Sequence, residues 1–128
     1  MLKIGIDLDS TITANGNSEK FFSLLTKYLH PNKGYFYIVT DRDNSEESKK
    51  EIKKELKKRD IIFDELIITG DKAKAILDND ISIYFDDTDE YFQYLPKSVT
   101  VFKIREEGNF NFDNGKWIYG PKTGELFS

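Results

Sequence analysis

Cysteine is absent from the 128 residues. That excludes disulfides, thiolate metal sites and a cysteine nucleophile together. A single histidine, His30, excludes multi-histidine metal centres and gives a Ser-His-Asp triad little support. Apolar runs extend only a few residues, too few to span a membrane. The opening MLKIGIDLD lacks secretory features, because its apolar stretch meets Asp7 and Asp9 at once, so a cytoplasmic location is expected. A basic surplus is lacking too. The net charge of −4 counts against a general nucleic-acid binder, which must neutralise phosphates, but leaves open a small anionic substrate. What is present, 38% hydrophobic and 14% aromatic residues, suits an ordered core and excludes disorder for most of the chain. The length fits one domain over residues 1–128.

Apolar runs alternate with helical patterns. Leu2–Ile6 reads as a strand entering Asp7. Phe21, Phe22, Leu24, Leu25, Tyr28 and Leu29 recur at helical spacing over Ser18–Leu29, and His30-Pro31 ends that helix. Tyr35–Val39 is a second strand. Asn44 with Glu47 resembles a capping box and starts a charged helix through Arg59, with Ile52 and Leu56 as its core anchors. Opposite charges three or four apart make the stretch from Glu46 to Asp60 a solvated face. Then follow strand Leu66–Ile68, helix Lys72–Leu77, strand Ile81–Phe85, helix Glu90–Leu95 and strand Val99–Phe102. This alternation predicts an α/β fold, a doubly wound parallel sheet with helices on both faces. Asn114-Gly115 between alternating aromatics predicts a carboxyl-terminal hairpin over 110–119.

Open parallel sheets bind ligands beyond the carboxyl ends of their strands. Asp7, Asp9, Ser10 and Thr11 follow the first strand. Thr40, Asp41 and Arg42 follow the second, and Thr69 to Lys72 the third. Asp86, Asp87 and Thr88 follow the fourth, Lys103 and Arg105 the fifth. With the ends of strands one and four side by side, four carboxylates share a crevice. Such crowding needs a cation or shared protons, and hard carboxylate oxygens without histidine or thiol favour Mg²⁺. The D-x-D spacing alone carries little, since thirteen aspartates make such pairs common. Placement directly off an apolar strand is what distinguishes Asp7 and Asp9.

The ordered set resembles the haloacid dehalogenase-like superfamily. Asp7-Leu8-Asp9-Ser10-Thr11 matches its first motif, Thr40 its second, Lys72 its third and Asp86-Asp87 its fourth, from Asp7 to Asp87 in the family's order. Receiver domains of response regulators use similar residue types in a different order. The resemblance implies phosphoryl transfer through an aspartyl-phosphate with Mg²⁺ as cofactor. Asp7 would be the nucleophile and Asp9 the general acid, then the base toward water. Thr40 would hydrogen-bond a phosphoryl oxygen, and Lys72, with Lys74 as its competitor, would neutralise charge. Asp7, the backbone carbonyl of Asp9, Asp86 and Asp87 would hold the metal, with the order of Asp86 and Asp87 left open. Thr11 closes the first motif at the substrate side, and Arg42 or Arg105 would grip a second anionic group.

Neither the gap from Thr11 to Thr40 nor that from Thr40 to Lys72 has room for a cap domain. A capless member of the family acts on a large substrate that supplies its own lid, or forms a homo-oligomer in which a neighbour covers the site. The expected substrate is a small phosphomonoester, a sugar phosphate or a nucleoside monophosphate. The alternatives are phosphorylated nucleic-acid ends, a phosphoprotein, or a non-catalytic metal-binding interaction domain. No basic stripe supports nucleic acid. Phe110, Phe112, Trp117 and Tyr119 make the hairpin a local lid, an oligomer contact or a packed edge.

Overall fold

The computed structural model describes residues 1–118. Its frame is a five-stranded, fully parallel sheet. The strands are β1 (Leu2–Ile6), β2 (Gly34–Thr40), β3 (Glu65–Ile68), β4 (Ile83–Asp86) and β5 (Thr100–Lys103), in the order β3-β2-β1-β4-β5. Successive residues of a strand face opposite sides, so each strand supplies two layers. On one side Ile4, Ile6, Phe36, Ile38 and Phe85 pack with Phe22 of helix α1 (Gly16–Leu29) and with Ile52 and Leu56 of α2 (Glu46–Lys58). On the other side Tyr37, Val39 and Tyr84 pack with Ile76 of α3 (Lys72–Asp78) and with Tyr91, Phe92 and Leu95. Both faces are covered, as the continuous apolar strands predict. No helix among the described residues is long and apolar enough to cross a membrane.

The register aligns the site end of the sheet. Ile6 pairs with Ile38 on one side and Phe85 on the other. Asp7, Thr40 and Asp86 therefore all emerge at the same carboxyl edge. Strand order reverses at β1, where β2 leaves to one side and β4 joins on the other, which is the place where open parallel sheets bind ligands.

Several local expectations change. Helix α1 begins at Gly16, capped by the Asn15 side chain, which accepts from Ser18 N at 2.9 Å. Its two apolar stripes run one residue apart, and only Phe22, Leu25 and Leu29 reach the core. Phe21, Leu24 and Tyr28 stay exposed. Ser45 rather than Asn44 caps α2, accepting from Ser48 N at 3.1 Å. The predicted helix over Glu90–Leu95 is a single 3₁₀ turn, Asp89–Tyr91, followed by turns. So short a segment before Pro96 cannot offset helix nucleation.

The carboxyl-terminal hairpin pairs Phe110 with Trp117 and Asn111 with Lys116, as β6 (Phe110–Asn111) and β7 (Lys116–Trp117). Four residues join these strands, so Asn114-Gly115 is not a two-residue turn. Gly115 ends the loop at φ 73°, where a side chain would be strained. Tyr119 lies outside the described residues.

Candidate active site

Asp7 leaves β1 with its backbone N–H on Phe85 O at 3.0 Å, so its position is set by β4 as well as by β1. The chain then turns sharply. Asp9 is extended at ψ 130°, and Ser10 is left-handed at φ 60°, its N–H held by Thr13 Oγ1 at 3.0 Å. This kink returns Thr11 toward Asp7. The buried Thr11 hydroxyl donates to Asp7 Oδ2 at 2.9 Å and lies 3.5 Å from Asp87 Oδ1.

Lys72 opens α3 and reaches inward until it is 2% exposed. Its Nζ donates to Asp7 Oδ1 at 2.7 Å and to Asp86 Oδ2 at 3.1 Å. The Tyr91 ring covers the same ammonium, 4.3 Å from its centroid, and the Tyr91 hydroxyl donates to Asp41 Oδ2 at 3.0 Å. Asp86 is fully buried. Its Oδ1 accepts from the N–H groups of Asp87 at 2.7 Å and Thr88 at 3.1 Å, and its Oδ2 also accepts from the Tyr84 hydroxyl. Lys74, the competitor of Lys72, is exposed and pairs with Asp78.

Carboxylate oxygens of Asp7, Asp86 and Asp87 lie within 4.8 Å of one another, all three buried. Lys72 supplies one positive charge between two of them. Burial first, and the Asp86 carboxylate second, push the Asp7 carboxyl up to about 8, against the pull of Lys72 and Thr11. Burial disfavours the charge on Lys72, but Asp7 and Asp86 outweigh it and hold the ammonium protonated. The Tyr84 phenol is pushed well above its ordinary range by burial and then by Asp86, so it remains a donor. The donor set is all oxygen and carries excess negative charge, which fits a hard divalent cation.

Three buried carboxylates converge here instead of the expected four. Asp9 is half exposed and held by the Arg42 fork, with Nε to Oδ2 at 2.9 Å and Nη2 to Oδ1 at 2.6 Å. Arg42 is anchored in turn by Glu55 of α2 at 2.9 Å. Arg42 is therefore committed to two carboxylates. Thr40, buried at the end of β2, accepts from Arg42 N at 3.3 Å. Arg105 lies in the angle of two hairpin rings, 4.7 Å from the Phe110 centroid and 4.9 Å from that of Phe112.

Asn109 goes unnoticed in the sequence. It is fully buried and donates to Asp87 O at 3.0 Å and Ile104 O at 2.8 Å, while its Oδ1 accepts from Glu106 N at 2.8 Å. It ties the hairpin's entry to the acidic end of β4. A lone asparagine after glycine reads only as a turn, so no sequence signal marks it. Tyr84 and Tyr91 are likewise hidden among residues that read as core.

Fold and site together define an α/β protein whose parallel sheet carries a buried acidic cluster and a lysine at its carboxyl edge. No family model matches the chain, and no curated protein matches it. Among solved structures, a chain from the structure of the Pnkp1/Rnl/Hen1 complex is similar, with a TM-score of 0.60 at 16% identity. The likeness covers 83% of this chain and 47% of that one, so the present chain spans about half of its length. At that identity the likeness shows a shared fold.

Proposed function

We propose that this chain is a Mg²⁺-dependent phosphomonoesterase of haloacid dehalogenase-like type, working through an aspartyl-phosphate on Asp7. The observation that carries this reading is Lys72, buried and bonded to both Asp7 and Asp86 beside Asp87. A structural ion pair does not require a third buried carboxylate. A site that must take up both a cation and an anionic phosphate does.

The side chains of Asp7, Asp86 and Asp87 would hold the metal, which would draw charge from a phosphoryl oxygen and lower the repulsion met by Asp7. An Asp7 carboxylate oxygen attacks phosphorus as the bond to the leaving oxygen breaks. Asp9 gives that oxygen its proton, having first let go of the Arg42 fork. Water then attacks the phosphoryl group, Asp9 takes a proton from it, and the bond to Asp7 breaks to free phosphate. Lys72 offsets phosphoryl charge throughout, and the Thr40 hydroxyl donates to a phosphoryl oxygen. Thr11 orients the Asp7 carboxylate through its 2.9 Å bond.

The substrate in this reading is a small phosphomonoester. A second reading, a phosphorylated nucleic-acid end, draws support from the short spans between site residues, which hold no cap domain: only α1 lies between Thr11 and Thr40, and only α2 and β3 between Thr40 and Lys72. The test is phosphate release from a panel of phosphomonoesters, with Mg²⁺ and with chelator, by wild type and Asp7→Asn. Mg²⁺-dependent release should fall at least about a thousandfold in the variant, as for loss of a nucleophile. Wild-type turnover in Asp7→Asn would remove Asp7 from its role.

A further inference from the structure

The chain has three arginines. Arg42 and Arg59 are both held in carboxylate forks, Arg42 by Asp9 and Glu55, Arg59 by Glu19 and Glu55. Arg105 pairs with no carboxylate among the described residues and rests on aromatic rings instead. The centroids of Phe110 and Phe112 are 5.1 Å apart at 68°, too close to sandwich a guanidinium. Arg105 therefore lies along their corner, with a ring on each side of its guanidinium and no ion pair among the described residues.

Arg105 also lines a cavity of about 360 Å³, together with Ala14, Asn15, Glu106, Glu107 and Phe112. Both of its walls are continuous with the site. Ala14 and Asn15 follow the turn that carries Asp7 and Thr11, and Ala14 N donates to Thr11 O at 3.3 Å. Arg105 follows Ile104, whose N–H bonds Asp86 O at 3.0 Å. Asn109 fastens the same segment to Asp87. Neither carboxylate in the wall lies within ion-pair distance of Arg105: Glu106 accepts from Gly108 N at 2.7 Å, and Glu107 is exposed.

We propose that this cavity receives the leaving part of the substrate and that Arg105 there binds a second phosphate. The inference rests on the phosphatase reading and specifies its substrate: a compound with two phosphates, one hydrolysed and one gripped. A planar guanidinium held by stacking is suited to fork-like phosphate contact. The second phosphate belongs either to a small bisphosphate or to a nucleotide chain, as a diester.

Two pairs of compounds separate these sources: a hexose monophosphate with a hexose bisphosphate, and a nucleoside monophosphate with a phosphorylated dinucleotide. Affinities are measured by calorimetry with Mg²⁺ on the full chain carrying Asp7→Asn, so that ligand is not consumed. Phosphate release by wild type is followed separately. In one pair the compound with two phosphates should bind about tenfold tighter, a ratio set by one charge-assisted contact. Adding Arg105→Gln should bring that ratio below about two, and Arg105→Lys should leave it in between because the point charge survives without the fork. Glu107→Gln should raise it. The pair that discriminates names the source. Equal affinities in both pairs, or a ratio unmoved by Arg105→Gln, overturn the proposal. Absence of phosphate release alongside a ratio that collapses in Arg105→Gln would sink the phosphatase reading and leave the second-phosphate site standing.

Discussion

Asp7 carries opposing demands at the scale of one residue. In the proposed role it would have to be ionised to attack or to bind a cation, yet burial first and Asp86 second push its carboxyl up to about 8. The unfolded chain loses that proton near 3.8. Between these values the folded state binds more protons than the unfolded state, so the Asp7 contribution to stability falls as pH rises and levels off above about 8. Thermal melts of the metal-free protein should show that decline, and Asp7→Asn should flatten it. Mg²⁺ should stabilise wild type more at pH 8 than at pH 5, because the cation displaces the proton. A stabilisation by Mg²⁺ that is equal at both pH values would place the metal away from Asp7. The sequence made Asp7, Lys72, Asp86 and Asp87 visible as residues at strand ends. That Lys72 and not Lys74 turns inward depends on Asp71, which caps α3 by accepting from Lys74 N and so sets the helix phase.

At the scale of elements, the join between β4 and the hairpin is the least legible and the most consequential. Asn109 satisfies the carbonyls of Asp87 and Ile104 and the N–H of Glu106 at once. Asn109→Ala would strand buried polar groups and cost on the order of 2–3 kcal/mol. Its second effect should be a weaker Mg²⁺ affinity, since Asp87 loses its anchor, while Mg²⁺ affinity at wild-type level would show that the hairpin does not position the acidic end. Urea denaturation and calorimetry read the two effects separately. Gly5 shows a quieter coupling. A Cβ there would sit 3.0 Å from the Tyr84 ring, whose hydroxyl bonds Asp86, so a glycine in β1 makes room for a donor to the acidic cluster. Helix positions were legible from periodicity. The choice between the two stripes of α1 was not, because Phe21, Leu24 and Tyr28 recur at the same spacing as Phe22, Leu25 and Leu29.

At the scale of the molecule, two cores on opposite faces hold five parallel strands in register, and the site sits where both meet the carboxyl edge. Helix α2 contributes to its core chiefly through Ile52 and Leu56, both fully buried. Leu56→Ala should cost about 2–5 kcal/mol in urea denaturation, from lost burial and the cavity left behind. A loss under about 1 kcal/mol would mean that α2 holds on mainly by its charges. The same helix supplies Glu55, which anchors Arg42 and through it Asp9, so loosening α2 should reach the site as well. The alternation of strands and helices, the apolar character of both sheet faces and the acidic residues at strand ends were legible from residue order, because each is a local pattern of period and composition. The place of β1 between β2 and β4, the joint burial of three carboxylates and the holding of Arg42 between carboxylates while Arg105 rests on aromatic rings came from the fold. Those outcomes depend on which distant segments become neighbours, and neighbourhood across a sheet is set by packing both faces at once.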